Sequence, residues 1–458
     1  MKNKLIDRLK ALFNRVFKTD SIRRIVGNAG YLVSAQGLAM VVSSVQQIFV
    51  LLIIGPAEYA LIKAIQTFAN NANRLTSFRI NEMVVSYFRS YEEQGARDKA
   101  IAVYKLAGLL EMLGAGVAFI LIWLLSPWGS EFFGGAPATQ PLWLLFGTVV
   151  LLNFMLDSSR GLLQALNLFP VNAMINASQS VITFVLVLLV YFTKDGGLLD
   201  ILMVYYLGKA FGALAYTAIG LKVAFRDWGP GWWRVRLGVL RGDLRGILNF
   251  SFNTNLTNTI SMITRDSEAL WISAILGLEA AGYYIFALSI AKQLQTPILS
   301  LANTAYPELS REIAHQRWAE TKDILRRISR LGVFYSLPII GLLLLFGKPF
   351  LSLVLPDWLS SYPLMVVLVL GFSFESGLIW NRVALLALKR ATFPTVINLV
   401  GLGLKIGVIV LLVRQYGEAA FAWAMVAYMV FTVSGTALRA VVDIDQREKR
   451  DERLGTAG

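Results

Sequence analysis

The chain repeats itself at a fixed offset in residue number. Arg382 repeats Arg160, whose number is lower by 222, and the Ile54-Gly55 step that ends one apolar run recurs at the same offset as Leu276-Gly277. Repeat units of about 20 to 50 residues indicate solenoids, but a unit close to half the chain indicates two homologous half-domains. The sequence is therefore predicted to be an internal duplication, and each half must form the same set of elements.

The composition places both halves in a membrane. Hydrophobic residues make up 56% of the chain and charged residues only 16%, and long apolar runs recur about every 25 to 35 residues. We predict twelve membrane spans, six in each half. The predicted spans are residues 31–54, 58–88, 101–125, 141–166, 171–193, 200–222, 248–276, 280–309, 331–355, 362–388, 394–413 and 418–439.

The second span is polar for a membrane helix, but the charge distribution requires it. Without it every later loop would change sides, and the arginines of the linker 223–246 would lie outside, against the positive-inside bias. With it, both termini are cytoplasmic, and the external loops hold only Lys194, Lys348 and Arg414 as basic residues. Anionic lipid at the cytoplasmic face then accounts for the net charge of +14, so we expect no nucleic-acid partner.

The predicted fold class is an all-α integral membrane protein of twelve transmembrane helices in two parallel six-helix repeats. The repeats are parallel because six spans, an even number, return the chain to the same side. Transporters built in this way hold the substrate near the membrane midplane between the halves. The predicted divisions are a cytoplasmic amphipathic N-terminal segment (1–27), an N-terminal lobe (28–222), a cytoplasmic linker (223–246), a C-terminal lobe (247–440) and a charged cytoplasmic tail (441–458).

Several kinds of chemistry are disfavoured by residues that are missing. The chain has no cysteine and one histidine, His315, which falls in a predicted cytoplasmic loop. Disulfides, thiolate metal sites, cysteine nucleophiles and histidine-based triads within the membrane are therefore excluded. No phosphate-binding loop of the Gly-x-x-x-x-Gly-Lys-Ser/Thr type occurs either. We expect no catalytic residues, no cofactor and no bound metal.

Four cations lie near the middle of their predicted spans with no acid three or four residues away: Arg74, Lys209, Lys292 and Lys405. A charge at this depth costs several kcal/mol unless it is paired or hydrated, so each is a candidate functional residue. Because they come from both halves, we predict that they line a hydrated, positively charged cavity between the halves and bind an anionic substrate. Arg265 is predicted to be a fifth member.

Other charges have a structural explanation. Arg79 with Glu82 and Asp157 with Arg160 are spaced three residues apart, so each pair can form on one helix face. Arg160 and its repeat equivalent Arg382 also lie near the cytoplasmic ends of their spans, where long side chains reach the interface. We interpret these five residues as structural ion pairs and anchors, although a functional role for the pairs stays open.

Two acids are candidates for ion coupling. Asp266 lies in mid-span with no basic residue three or four positions away, although Arg265 adjoins it. It is predicted to exchange a proton or a sodium ion, with Glu268 as the second choice. Two alternatives remain open. Asp266 could instead be bonded to a cation such as Lys292, or the membrane potential alone could drive transport.

A resemblance to a known family rests on the stretch ILGLEAAGYY (275–284), the following Pro297 and the stretch AYPELSR (305–311). These residues resemble spans seven and eight of bacterial polysaccharide flippases, the O-antigen type transporters of the multidrug/oligosaccharidyl-lipid/polysaccharide (MOP) exporter superfamily. The resemblance implies a V-shaped bundle that moves undecaprenyl-pyrophosphate-linked oligosaccharides across the bacterial cytoplasmic membrane by alternating access. The products would be O-antigen, capsule or exopolysaccharide.

The charges favour this branch over related ones. A pyrophosphate carries about two negative charges and needs cations in a low-dielectric cavity, whereas drug exporters of the superfamily handle cations. Lipid II flippases usually have two further spans and an Arg-Asp pair in span one that this chain lacks. A lipid II flippase or a drug/ion antiporter remains the alternative, and a membrane-embedded polysaccharide polymerase or ligase is less favoured. Expected partners are the lipid-linked oligosaccharide, a coupling proton or sodium ion, membrane lipids and other polysaccharide-assembly proteins.

Overall fold

The structure is a computed structural model that describes residues 40–77, 79–193, 196–390 and 392–455. The predicted N-terminal amphipathic segment (1–27) and the first residues of predicted span one lie outside these ranges. Elements below are therefore those of the described part of the chain, in which every regular element is helical.

In the described residues, each of the twelve predicted spans contains a helix, but spans two and seven are each divided into several helical pieces, so the count of twelve continuous helices is not exact. The main helices of the twelve spans are α1 (Met40–Ile53), α2 (Pro56–Thr76), α3 (Arg97–Phe132), α4 (Pro137–Ala165), α5 (Phe169–Thr193), α6 (Leu198–Trp228), α7 (Leu244–Ser261), α8 (Leu278–Ala314), α9 (Trp318–Val354), α10 (Ser361–Ala387), α11 (Thr392–Tyr416) and α12 (Glu418–Gly455). Eight of them, α3 to α6 and α9 to α12, are long and apolar enough to cross a membrane by length and composition alone.

The chain divides into two compact units by its internal contacts. Residues 41–285 form the first unit, which contains α1 to α7 and the first turns of α8, and residues 286–455 belong to the second. The predicted boundary in the linker 223–246 stays a prediction; by internal contacts, α7 is grouped with the six helices before it. After α7 the chain continues as the π-helical turn Met262–Asp266 and the helix Glu268–Leu276, and polar contacts between these residues and α2, described below, accompany this grouping.

The internal duplication is visible in backbone geometry. Asn167 after α4 and Lys389 after α10 are equivalent positions of the repeat, and both adopt the left-handed conformation, with φ of 58° and 62°. In each turn the next residue donates its N–H to the carbonyl oxygen five residues earlier, at 2.7 and 2.8 Å. This arrangement satisfies carbonyl groups at a helix C-terminus. The same turn closes the corresponding helix in each half.

The second predicted span is not one continuous helix. α2 ends at Thr76, and Arg79 follows in the left-handed conformation, with φ 46° and ψ 49°. Helix then resumes over residues 80–93 and includes a π-helical turn, Val84–Phe88. Gly161 of α4 fits closely here, because a Cβ atom on it would lie 2.9 Å from the carbonyl oxygen of Asn81. The break turns the polar residues around Arg79 away from the line of α2.

The linker between the halves is shorter than predicted, because α6 extends to Trp228. The remaining residues, 229–243, form two short 3-10 turns. Trp232 is buried, and Asp243 accepts hydrogen bonds from Lys99 and from Tyr91, both at 2.8 Å. These hydrogen bonds, the one from Lys99 first, hold the pKa of the Asp243 carboxyl below its ordinary value. Asp243 thus links the linker to the start of α3 and to the helical residues 80–93.

The predicted charged tail continues α12 as helix to Gly455. Lys322 of α9 forms ion pairs with Asp445 and Glu448, both at 2.6 Å. Trp318 donates its indole N–H to Asp451 at 2.8 Å. Hydrogen bonds from Lys322 to Asp445 and Glu448 raise the pKa of the Lys322 ammonium above its ordinary value. These contacts hold the end of α12 against the start of α9.

Glu111 of α3 caps a helix inside the first unit. Helix α4 is interrupted at residues 153–155 and resumes at Leu156. The buried Glu111 carboxylate accepts the backbone N–H groups of Asp157 at 2.6 Å and Ser158 at 2.9 Å. The first N–H groups of a helix have no partner within the helix, and Glu111 supplies one. It therefore fixes the position of Asp157 and of the turn that carries Arg160.

We expect Glu111→Leu to lower the free energy of unfolding by about 3 kcal/mol, because two buried N–H groups lose their acceptor. Glu111→Gln keeps one acceptor oxygen and is expected to lose less. Denaturant titration of the purified protein in detergent measures both values. Equal stability of the leucine and glutamine variants would contradict the capping role.

Candidate functional site

A cavity of about 480 Å³ lies inside the first unit, between α2, the 80–82 turn, α4, α5 and α6. Its lining is almost entirely polar, with four cations, two carboxylates and several amides. The lining residues are Asn70, Asn73, Arg74, Ser77, Arg79, Asn81, Glu82, Asn153, Leu156, Asp157, Arg160, Gln179, Lys209 and Ala213. The lining holds two more cations than acids, and Asp266, which is paired with Arg74, reduces this surplus to one positive charge.

Arg74 stands in the last turn of α2 and is paired in this structure. Its Nη1 atom lies 2.6 Å from Oδ2 of Asp266, which ends the π-helical turn Met262–Asp266 after α7. One turn earlier on α2, Asn71 donates to the hydroxyl of Ser267 at 3.0 Å. The acid nominated for ion coupling and a cation nominated for substrate binding are thus in direct contact. The alternative that Asp266 is bonded to a cation such as Lys292 stays a prediction beside this contact with Arg74.

Lys209 reaches the same cavity from α6. Its Nζ donates to Oδ1 of Asn70 at 2.8 Å and lies 5.4 Å from the ring centre of Phe146. It is also within electrostatic range of Lys63 and Arg74. Mutual repulsion of these cations is relieved when an anion lies between them.

The residues interpreted as structural ion pairs form another part of the cavity wall. Arg79 pairs with Glu82, and Arg160 lies 3.8 Å from Asp157 with its guanidinium over the ring of Tyr216 at 4.8 Å. The side chains of all four charged residues are about one third exposed. They are consequently placed both to hold the wall together and to meet a ligand.

Sequence reasoning missed Lys63, although it lies in predicted span two. Its ammonium lies 5.3 Å from the ring centre of Tyr59 and 5.1 Å from that of Tyr205. Lys63, Asn70 and Arg74 are spaced by seven and four residues, so they share one face of α2. This spacing is the sequence pattern that could have identified Lys63 as a neighbour of the predicted site residues. Lys63 is not one of the lining residues, but it adds a cation to the face of α2 that carries Asn70 and Arg74.

The remaining predicted residues lie elsewhere. Arg265 precedes Asp266 in the π-helical turn, and the buried Glu268 accepts a hydrogen bond from Tyr284. In the second unit, Lys405 is buried, with its Nζ 3.8 Å from the sulfur of Met425. Lys292 and the exposed Arg382 also belong to the second unit. A cavity shared by all five proposed substrate-binding residues stays a prediction.

Comparison with known proteins places the chain in a family. Residues 25–312 match the family model described as "Polysaccharide biosynthesis protein". No curated protein matches the chain by sequence.

The fold is similar to those of several solved transporters. An inward-facing multidrug resistance MATE family transporter of the MOP superfamily aligns with a TM-score of 0.68 and 13% identity, over 91% of this chain and 96% of that one. A MATE transporter mutant of Vibrio cholerae gives 0.63 and 13%, over 94% and 99%. A eukaryotic MATE transporter gives 0.64 and 12%, over 94% and 100%. At such low identity the likeness establishes the fold alone.

These findings confirm the resemblance to the MOP superfamily, while the O-antigen branch stays a prediction. The family match covers more than half of the chain, and the helical arrangement is the one seen in the MATE structures. The chain is therefore a multi-pass membrane protein that belongs to the polysaccharide biosynthesis protein family and has the MOP-superfamily fold.

Proposed function

We propose that the protein is a flippase that translocates undecaprenyl-pyrophosphate-linked oligosaccharides across the bacterial cytoplasmic membrane by alternating access. The supporting observation is the polar cavity within the first unit, whose four cations and two carboxylates give it a positive balance. Family membership supports the polysaccharide pathway. Surface polysaccharide biosynthesis, as O-antigen, capsule or exopolysaccharide, is the process that such a substrate would serve.

The chemistry of the cavity suits both parts of this headgroup. Guanidinium and ammonium groups bind phosphate oxygens through charge-assisted hydrogen bonds, and Arg74, Arg160 and Lys209 supply them. Amide side chains can both donate to and accept from sugar hydroxyls. The lining offers such amides at Asn70, Asn73, Asn153 and Gln179. The volume of about 480 Å³ falls in the usual range for small-molecule sites.

The alternatives fit these groups less well. A drug antiporter that carries cations would meet repulsion from the surplus of basic residues in the cavity. A lipid II flippase would need the same pyrophosphate recognition, so only the sugar preference separates it from the proposed function. A polymerase or ligase would need a reactive extramembrane site, for which the short predicted external loops leave little room.

Reconstituted protein tests the proposal directly. Proteoliposomes loaded with a fluorescent undecaprenyl-pyrophosphate oligosaccharide are expected to expose it on the opposite leaflet faster than protein-free vesicles do. The measured quantity is the fraction accessible to an impermeant quencher over time. Lipid II in the same assay reports the alternative flippase, and a cationic dye reports the antiporter. Preference for either alternative over the oligosaccharide would contradict the proposed substrate.

The proposed topology places both termini and the 229–243 linker in the cytoplasm. Because the chain contains no cysteine, a single introduced thiol reports its own location. We expect Trp233→Cys, at an exposed linker position, to react with an impermeant maleimide only after the cells are permeabilised. Labelling of intact cells would reverse the proposed orientation. A cysteine introduced at Tyr416, exposed at the predicted external end of α11, is the matched positive control.

A further inference from the structure

The second unit contains a cavity of its own, of about 670 Å³. It lies where the turn between α8 and α9, the turn after α10 and the last turns of α12 meet. Its lining includes three arginines, Arg390, Arg447 and Arg450. Neither the predicted sites nor the proposed transport step uses these residues.

The duplication provides an internal comparison for this cavity. Four polar lining residues stand at positions whose counterparts in the first half are apolar and pack in the hydrophobic core of the first unit. The equivalent pairs are Leu168 and Arg390, Leu221 and Asp443, Ala224 and Gln446, and Trp228 and Arg450. The counterpart of Arg447, Phe225, is also apolar, although it is exposed. The fold therefore does not require charges here: Arg390 and Asp443 pair with each other, and a ligand would account for Arg447 and Arg450.

The acids of the cavity already have partners. The carboxylate of Asp443 is almost completely buried, and it is bridged by Arg390 at 3.0 Å and Arg439 at 3.1 Å. Asp451 accepts the indole N–H of Trp318 at 2.8 Å. The negative charge of the lining is therefore largely committed to groups of the protein.

Two arginines retain their charge for a ligand. Arg447 donates to the neutral carbonyl oxygen of Leu388 at 3.0 Å, and Arg450 is exposed. Neither of them forms an ion pair with any residue in the described ranges of the chain. Neighbouring guanidinium groups on one helix face repel each other, and a shared anion removes that repulsion.

We propose that this second cavity binds a phosphate group through Arg447 and Arg450. The planar guanidinium fork matches two phosphate oxygens, and arginine is accordingly the preferred residue for bidentate phosphate recognition. The phosphate belongs either to the headgroup of an anionic phospholipid or to a soluble phosphate compound. The inference does not depend on the transported substrate, because none of these residues lines the cavity of the first unit.

Binding to the purified full-length protein in neutral detergent tests the site. Two probes are titrated while the unfolding temperature is followed: short-chain phosphatidylglycerol, with phosphatidylcholine as the blank, and inorganic phosphate. We expect Arg447→Gln/Arg450→Gln to weaken phosphatidylglycerol binding by about tenfold to a hundredfold, because two charge-assisted hydrogen bonds are lost. The control Arg330→Gln/Lys449→Gln removes the same charge from exposed positions outside the cavity and should bind like the wild type.

The outcomes separate the sources of the phosphate. Loss of phosphatidylglycerol binding alone assigns the site to a lipid headgroup, and parallel loss of inorganic phosphate binding assigns it to phosphate from either source. Arg450→Trp introduces the residue found at the equivalent position of the first half, Trp228, and should fold and lose binding as well. It therefore provides a second test of the proposal if the double variant is unstable. Equal binding by the cavity variants and the control pair in both titrations would overturn the proposal.

Discussion

Replacing Arg74 and Lys209 together with glutamine is expected to lower the flipping rate by about a hundredfold or more. Each of these side chains can contribute a charge-assisted hydrogen bond of roughly 1.5 to 3 kcal/mol to a bound phosphate, and each 1.4 kcal/mol corresponds to about a tenfold change. The two residues reach the cavity from different helices, α2 and α6. The initial rate in proteoliposomes of matched protein content measures the effect.

A charge-matched control makes this result interpretable. Arg241→Gln/Arg245→Gln removes two positive charges from exposed positions at the end of the linker and the start of α7. It should transport at close to the wild-type rate and elute identically in size-exclusion chromatography. If the cavity variant flips as fast as this control, the cavity of the first unit is not the headgroup site. The single variants should fall between, because each leaves one cation in place.

Long-range order in this protein could be predicted because it follows from periodic apolar patterns. The duplication follows from the fixed offset between equivalent residues, and most of the spans follow from the length of the apolar runs, whereas the polar second span needed the positive-inside distribution of charge. The pairs Arg79 with Glu82 and Asp157 with Arg160 needed only the three-residue spacing of one helix face. These features depend on residues that are close in sequence, or on a pattern that is repeated along it.

Local breaks and distant pairs could not be predicted in the same way. The left-handed Arg79 gives no composition signal, since polar residues lie on both sides of it. Arg74 and Asp266 form a pair across 192 residues, so neither has an acid or base at helical spacing to reveal the contact. The spacing of Lys63 from Asn70 and Arg74 places all three on one face of α2. Most of the other polar residues of that span lie nearer its C-terminal end than Lys63 does. The position of the cavity depends on how helices that are distant in sequence pack within the first unit, which local spacing does not reveal.

The contact between Arg74 and Asp266 changes how ion coupling would operate. A phosphate of the substrate and the carboxylate of Asp266 are alternative partners for the same guanidinium. Binding of the substrate to Arg74 would therefore displace the Asp266 carboxylate from the ion pair. An inward ion gradient can drive outward transport only if the ion crosses the membrane in the step without substrate. In the proposed cycle, Asp266 takes up a proton or a sodium ion after the substrate has left and releases it at the cytoplasmic side.

We expect Asp266→Asn to lower the flipping rate by about tenfold and to abolish its dependence on an imposed proton or sodium gradient, because the amide cannot exchange either ion. The apparent KM for the oligosaccharide should fall at the same time, since the side chain at position 266 no longer competes as an anion for Arg74. The charge-swapped variant Arg74→Asp/Asp266→Arg separates this from a structural effect. It can restore the ion pair and thermal stability, but it moves the cation from α2 to the π-helical turn after α7, so transport should stay low. Flipping rates are compared with and without each ion gradient at fixed membrane potential.

If the Asp266→Asn protein retains both its rate and its gradient dependence, Asp266 is not the coupling residue. Another residue would then couple the ion. A wild-type rate that is independent of both ion gradients would instead leave the membrane potential, at about 2.3 kcal/mol per charge and 100 mV, or the substrate gradient as the driver.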